Sequence, residues 1–138
     1  MSDLNSTVNS LSVLVVDNNS DSRMLLKAIF DLYEIKTIAV SSATEALEIL
    51  NHIIPNLLIS EISLPEEDGY SLMKKVQAFE IAHHVEIPAI ALTTSNTPID
   101  RAHALNVGFK EYLTKPIDID SFMQAAISMI QKAQLVTA

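Results

Sequence analysis

Short apolar runs rich in β-branched residues alternate with longer stretches of helical period along the whole chain, and the alternation repeats five times. Leu11 to Val16 (LSVLVV) reads as a buried strand, followed by a helix from Ser20 to Tyr33 with Leu25, Ala28, Ile29 and Leu32 along one face. Lys36 to Val40 reads as the second strand. Ser42 and Glu45 form a capping box that opens a helix carrying Ala46, Leu47, Ile49 and Leu50, which should stop before Pro55. Asn56 to Ser60 is a third strand, then the loop LPEEDG and a helix from about Tyr70 to Ala82 with Leu72, Val76 and Phe79 inward, leaving His83 and His84 in the next loop. Ile87 to Leu92 is the fourth strand. Ile99, Ala102 and Leu105 mark a short helix ended by Gly108, and Glu111 to Leu113 is the fifth strand. Asp118 caps a last helix whose stripe is Phe122, Ala125, Ala126, Met129 and Ile130. Alternating βα units predict a parallel sheet wound right-handedly, with helices on both faces and ligands beyond the carboxyl ends of the strands.

Composition narrows this picture. The 138 residues, 49% of them hydrophobic, suit one domain with a core of its own, read here as residues 11–134 between loose ends at 1–10 and 135–138. There is no cysteine for a disulfide or thiolate site, no signal-like amino terminus and no apolar run of membrane-spanning length, which together favour a soluble, cytoplasmic chain. A net charge of -8 argues against nucleic-acid binding.

The residues just after the strands carry the candidate chemistry: Asp17 and Asn18, Glu61, Thr93, and Lys115. If the strand ends converge, two carboxylates, an amide, a hydroxyl and an ammonium share one polar pocket, suited to a small cation or to an anion held beside a carboxylate. Four segments, LVVDNN at 14–19, PNLLISEISLPEEDG at 55–69, PAIALTT at 88–94 and GFKEYLTKPID at 108–118, resemble the receiver domains of two-component response regulators, the family of the chemotaxis protein CheY. Both glycines of the chain, Gly69 and Gly108, fall at motif positions of that family. The resemblance implies a flavodoxin-like (βα)5 three-layer sandwich with five parallel strands in order 2-1-3-4-5. It also implies a signalling module rather than an enzyme, in which an aspartate ending the third strand accepts a phosphoryl group with the help of magnesium. Carried over, Glu61 stands at the phosphoacceptor position, and Asp17, Asn18, Glu61 and the Ser63 carbonyl at the metal position. Lys115 and Thr93 stand where the phosphoryl group is received, and Tyr112 is the aromatic switch partner of Thr93. A cis bond at Lys115-Pro116 is implied too.

The departures are informative. Glu61 is longer than aspartate by one carbon–carbon bond, about 1.5 Å, and reaction geometry is sensitive to such shifts, at a cost of ~100-fold for ~1 Å. With Asn18 in place of a second acid, the pocket's two carboxylates and one lysine give a formal -1 against the family's -2, so magnesium is a possible cofactor whose binding should be weak. Thr94 stands where the family usually has Ala or Gly and would narrow access. The residues therefore predict a receiver with phosphorylation lost or impaired, in which Glu61 pairs directly with Lys115. A weakly phosphorylatable receiver and a phosphate-mimicking Glu61, which carries one charge against roughly -1.5 to -2 for a phosphoryl group, remain open readings. A flavodoxin-like FMN protein would want a hydroxyl- and glycine-rich phosphate loop where DNNSDS stands, and an aspartate-dependent phosphatase a second Asp where Asn19 stands. The expected partner is a signalling protein, a histidine kinase or downstream effector, met on the surface of the fourth helix, fifth strand and fifth helix, with room for a homodimer. Glu66, Glu67 and Asp68 read as a solvated acidic loop, and His52, His83, His84 and His103 as surface histidines without ligand spacing.

Overall fold

A computed structural model describes residues 11–137, so the expected loose end at 1–10, and residue 138, lie outside the described residues. Five strands, β1 (Ser12–Val16), β2 (Lys36–Val40), β3 (Leu57–Ser60), β4 (Ala89–Thr93) and β5 (Glu111–Thr114), alternate with five helices, α1 (Ser20–Leu32), α2 (Ala43–Leu50), α3 (Gly69–His83), α4 (Pro98–Val107) and α5 (Ile119–Thr137). The strands are all parallel and run in the order β2-β1-β3-β4-β5. This is the expected flavodoxin-like, three-layer arrangement.

Strand periodicity divides the core in two. Leu14, Val16, Leu58, Ala89 and Ala91 point to one face, where Ala46, Leu50, Leu72, Met73, Val76, Ala104 and Val107 of α2, α3 and α4 cover them. Val13, Val15, Leu57, Ile59, Ile90 and Leu92 point to the other, against Leu26, Ile29 and Phe30 of α1 and Phe122, Met123, Ala126 and Ile130 of α5. The Phe30 and Phe122 rings meet edge to face, 5.9 Å apart, and join the two helices on that side.

Side chains close the amino ends of the helices. The Ser42–Glu45 cap forms as expected, although Glu45 reaches back to Ser41 rather than to the cap residue's own amide. Asp118 accepts from Ser121 N at 3.0 Å. Asn19, Asp68 and Thr97 cap α1, α3 and α4 in the same way. Gly108 closes α4 at φ +121°, where a side chain would be strained.

Three expectations are corrected. On α1 the inward face is Leu26, Ile29 and Phe30, and Leu25, Ala28 and Leu32 are exposed. On α4 it is Ala104 and Val107, and Ile99, Ala102 and Leu105 face outward. His83 completes α3, and His84 follows it in a left-handed conformation at φ 54°.

Candidate functional site

The carboxyl ends of β1, β3, β4 and β5 converge on one buried polar cluster. Asp17 follows β1 and is nearly inaccessible, as are Glu61 after β3 and Thr93 at the end of β4. Lys115 follows β5, its amide held by the Thr93 carbonyl at 2.8 Å. Its ammonium bridges the two acids: Nζ donates to Asp17 Oδ2 at 2.7 Å and to Glu61 Oε1 at 3.0 Å. The expected contact between Glu61 and Lys115 is thus present, and Asp17 joins it.

The other oxygen of each carboxylate is held by backbone. Asp17 Oδ1 accepts from Asn19 N at 2.9 Å, while the Asp17 carbonyl accepts from the Arg23 guanidinium at 2.7 Å. Glu61 Oε2 accepts from its own loop, Ile62 N at 2.7 Å and Ser63 N at 3.2 Å. The loop is fixed in turn by Gly69, whose amide donates to the Ile62 carbonyl at 2.8 Å. A β-carbon on Gly69 would stand 2.6 Å from the Glu61 carbonyl, so α3 can begin this close only with glycine.

Electrostatics reinforce the geometry. Burial alone would raise the Glu61 pKa, but hydrogen bonds from the Thr93 hydroxyl and Lys115, with the Lys115 charge and the Ser63 amide, outweigh it and hold the carboxyl below its ordinary value. Burial would likewise lower Lys115, and hydrogen bonds to Asp17 and Glu61 with their charges reverse this and raise it. Both groups are therefore charged at neutral pH, and a carboxylate–ammonium–carboxylate chain crosses the pocket.

Asn18 is exposed, outside the buried cluster. Ser63 is exposed too and presents its amide to Glu61. Tyr112 is buried, and its hydroxyl donates to the Ser95 carbonyl at 2.7 Å, two residues beyond Thr93. Arg101 from α4 lies over the Tyr112 ring, 5.8 Å from its centre, and donates to the Tyr112 carbonyl at 3.2 Å. A continuous set of contacts thus runs from Glu61 through Thr93 and the 93–95 loop to Tyr112 and α4. The Lys115-Pro116 bond is cis.

Magnesium needs several oxygens in octahedral array at roughly 2.0–2.1 Å. Here each carboxylate already accepts bonds on both oxygens, the ammonium sits between them, and Asn18 stands apart, so the donor set as folded fits an ammonium and not a divalent ion. Among the described residues no group of three or more His, Cys, Asp or Glu side chains could hold a metal.

The sequence did not reveal the roles of three residues, Arg23, Glu67 and Asp68. Arg23 was unremarkable on α1, and only its spacing of six residues from Asp17 hinted that it could reach back over one turn. Glu67 and Asp68 are more than a solvated loop: Asp68 caps α3, and Glu67 pairs with Lys75 at 2.6 Å. The histidines are exposed, with His103 stacked on Tyr70 at 3.8 Å, His83 on Phe79 at 4.0 Å and His52 near Glu48 at 3.3 Å.

Residues 13–127 match the family described as the response regulator receiver domain. An uncharacterized 14.6 kDa protein of Leptolyngbya boryana is 42% identical over 113 residues, 81% of this chain and 84% of that one. The response regulator Rre1 of Synechocystis is 30% identical over 125 residues, 90% of this chain but 53% of its own length. The chain thus spans about half of that regulator. Among solved structures, a two-component response regulator from Clostridium difficile superposes with a TM-score of 0.81 at 23% identity, covering 88% of this chain and 97% of its own. The receiver domain of Ssk1 from Saccharomyces cerevisiae, crystallised with the histidine phosphotransfer protein Ypd1, gives 0.77 at 24% identity, covering 83% of this chain and 85% of its own. Among the described residues no helix is long and apolar enough to cross a membrane. With the family's fold, strand order and matched length all present, the chain belongs to the receiver domains of response regulators, the signal-receiving modules of two-component systems.

Proposed function

We propose that this receiver works without phosphoryl transfer, as an interaction module whose pocket is held in one state by its own Glu61. One observation carries the reading: the Glu61 carboxylate already engages the Lys115 ammonium and the two amides of its loop, with the Thr93 hydroxyl beside it. The lysine and the hydroxyl are the groups that, by family resemblance, would receive a phosphoryl group. An incoming phosphodonor would find no free carboxylate oxygen and no cation beyond the lysine to offset the meeting of two negative charges.

The lengthened side chain thereby substitutes for both the metal and the modification. Its effect passes to Tyr112, buried under the 93–95 loop, and so to α4, where Ile99 and Leu105 are exposed on the surface formed with β5 and α5. That surface is the proposed contact for a signalling protein, a histidine kinase, phosphotransfer protein or effector.

The test is the intact mass of the protein after incubation with a small acyl phosphate and magnesium, beside a receiver with the three-aspartate pattern as positive control. The proposal expects no phosphoryl adduct on this chain. An adduct lost on Glu61→Gln substitution would overturn it.

A further inference from the structure

Tyr112 is held at both of its ends by neighbouring residues of α4. It is 2% exposed, although β5 is an edge strand of the sheet. The hydroxyl donates to the Ser95 carbonyl at 2.7 Å, and the Ser95 hydroxyl donates to the Asp100 carboxylate. The Tyr112 carbonyl accepts from the Arg101 guanidinium at 3.2 Å, and the same guanidinium lies 5.8 Å from the ring centre, within range of a cation–π attraction. Asp100 is anchored in turn: its amide donates to Thr97 Oγ1 at 3.1 Å, and the Tyr70 hydroxyl lies 3.5 Å from its carbonyl. His103, farther along α4, stacks on the Tyr70 ring at 3.8 Å. From the pocket side Ser95 is reached by a longer bond, its amide to Thr93 Oγ1 at 3.4 Å.

We infer that Arg101 is the positioning residue for Tyr112: its guanidinium keeps the ring under the 93–95 loop, so that the ring and α4 move together or not at all. Glu61 fixes the pocket end of the path and Arg101 the α4 end, a role that goes beyond that of Glu61 and does not depend on it. Arginine suits both contacts at once. Its fork of N–H groups serves the carbonyl while its delocalised charge stays over the ring, whereas a lysine ammonium is a point charge able to serve one of them at a time.

Arg101 itself is exposed, so its replacement opens no cavity in the core. What is lost is a hydrogen bond from a charged donor and a contact with the ring face. Together these are large enough to raise the population with Tyr112 turned outward by about tenfold.

Ring-labelled tyrosine NMR of the full chain tests this, because the chain has only three tyrosines and Tyr112→Phe identifies the signals of Tyr112. The inference expects wild-type Tyr112 ring signals that a soluble nitroxide scarcely broadens. In Arg101→Met, which keeps an unbranched stem but no charge, they should shift and broaden by about tenfold more. The circular dichroism and the amides of residues 61–63 should not change. Arg101→Lys should fall between the two. An arginine that only stabilised the fold would lower the thermal midpoint and leave the ring signals in place. Tyr112 signals unmoved in Arg101→Met, no recovery in Arg101→Lys, or shifts that begin at residues 61–63 would overturn the inference. A phosphoryl adduct on Glu61 would refute the role given to that residue and leave the Tyr112 result standing, so the two fail separately.

Discussion

The Tyr112 hydroxyl donates to the Ser95 carbonyl at 2.7 Å, tying the buried ring of β5 to the loop that begins at Thr93. This bond is one link in the contacts between Glu61 and α4, which Arg101 completes by donating to the Tyr112 carbonyl. Removing the hydroxyl in Tyr112→Phe leaves a carbonyl unpaired near the core, at a cost of about 1 kcal/mol. Hydrogen exchange should show faster opening of residues 94–97 with β1 and β3 unchanged.

Lys115 holds two buried carboxylates, so its loss costs more than a surface ion pair would. Lys115→Ala should lower unfolding free energy by about 3 kcal/mol in urea denaturation, because two charges lose their common counterion. Adding Glu61→Gln should recover part of that loss. The double-mutant cycle should give a coupling of about 1–3 kcal/mol, whereas additive effects would mean that the two groups do not interact.

Acid stability follows from the same contacts. Glu61 is depressed from the ordinary 4.5, so its contribution is present above pH 4.5 and is lost as pH falls through its lower folded-state value. Lys115 is raised from the ordinary 10.5, so its contribution is full below that pH and is lost as pH rises through its higher folded-state value. The stability of the wild type minus that of Glu61→Gln should therefore be level near neutrality and shrink only below about pH 4.5. A difference that grows on acidification would contradict the assignment.

Gly69→Ala places a carbon 2.6 Å from the Glu61 carbonyl and 2.9 Å from Ile62 Cα, both backbone. Neither can yield cheaply, so the substitution should cost about 1–3 kcal/mol. Amide shifts in an NMR spectrum should be largest at residues 61–63, where the Glu61 carboxylate is anchored.

The sheet was legible because its strands are buried on both sides and read as unbroken apolar runs, so β1 and β3 were found to within a residue. The convergence of Asp17, Glu61, Thr93 and Lys115 followed from the winding rule and from the motifs that place each at a strand end. The facing of α1 and α4 was not legible. On α1 apolar residues occupy both sides, and periodicity alone cannot choose between Leu25 with Leu32 and Leu26 with Phe30; packing against Phe122 decides it. The role of Asp68 was obscured by its acidic neighbours, since a capping carboxylate differs from a solvated one only in where the next helix begins. Arg23 escaped because its target is a backbone carbonyl, so that only its spacing from Asp17 marked it.

The central claim is that Glu61 keeps the pocket, the 93–95 loop and Tyr112 in one arrangement whatever the phosphodonor supply. Amide NMR spectra recorded before and after addition of magnesium with beryllium fluoride, a phosphoryl mimic, test this directly. The account predicts that resonances of residues 61–63, 93–95 and 112 stay where they are. Shifts that begin at Glu61 and spread to Tyr112 and α4 would contradict it.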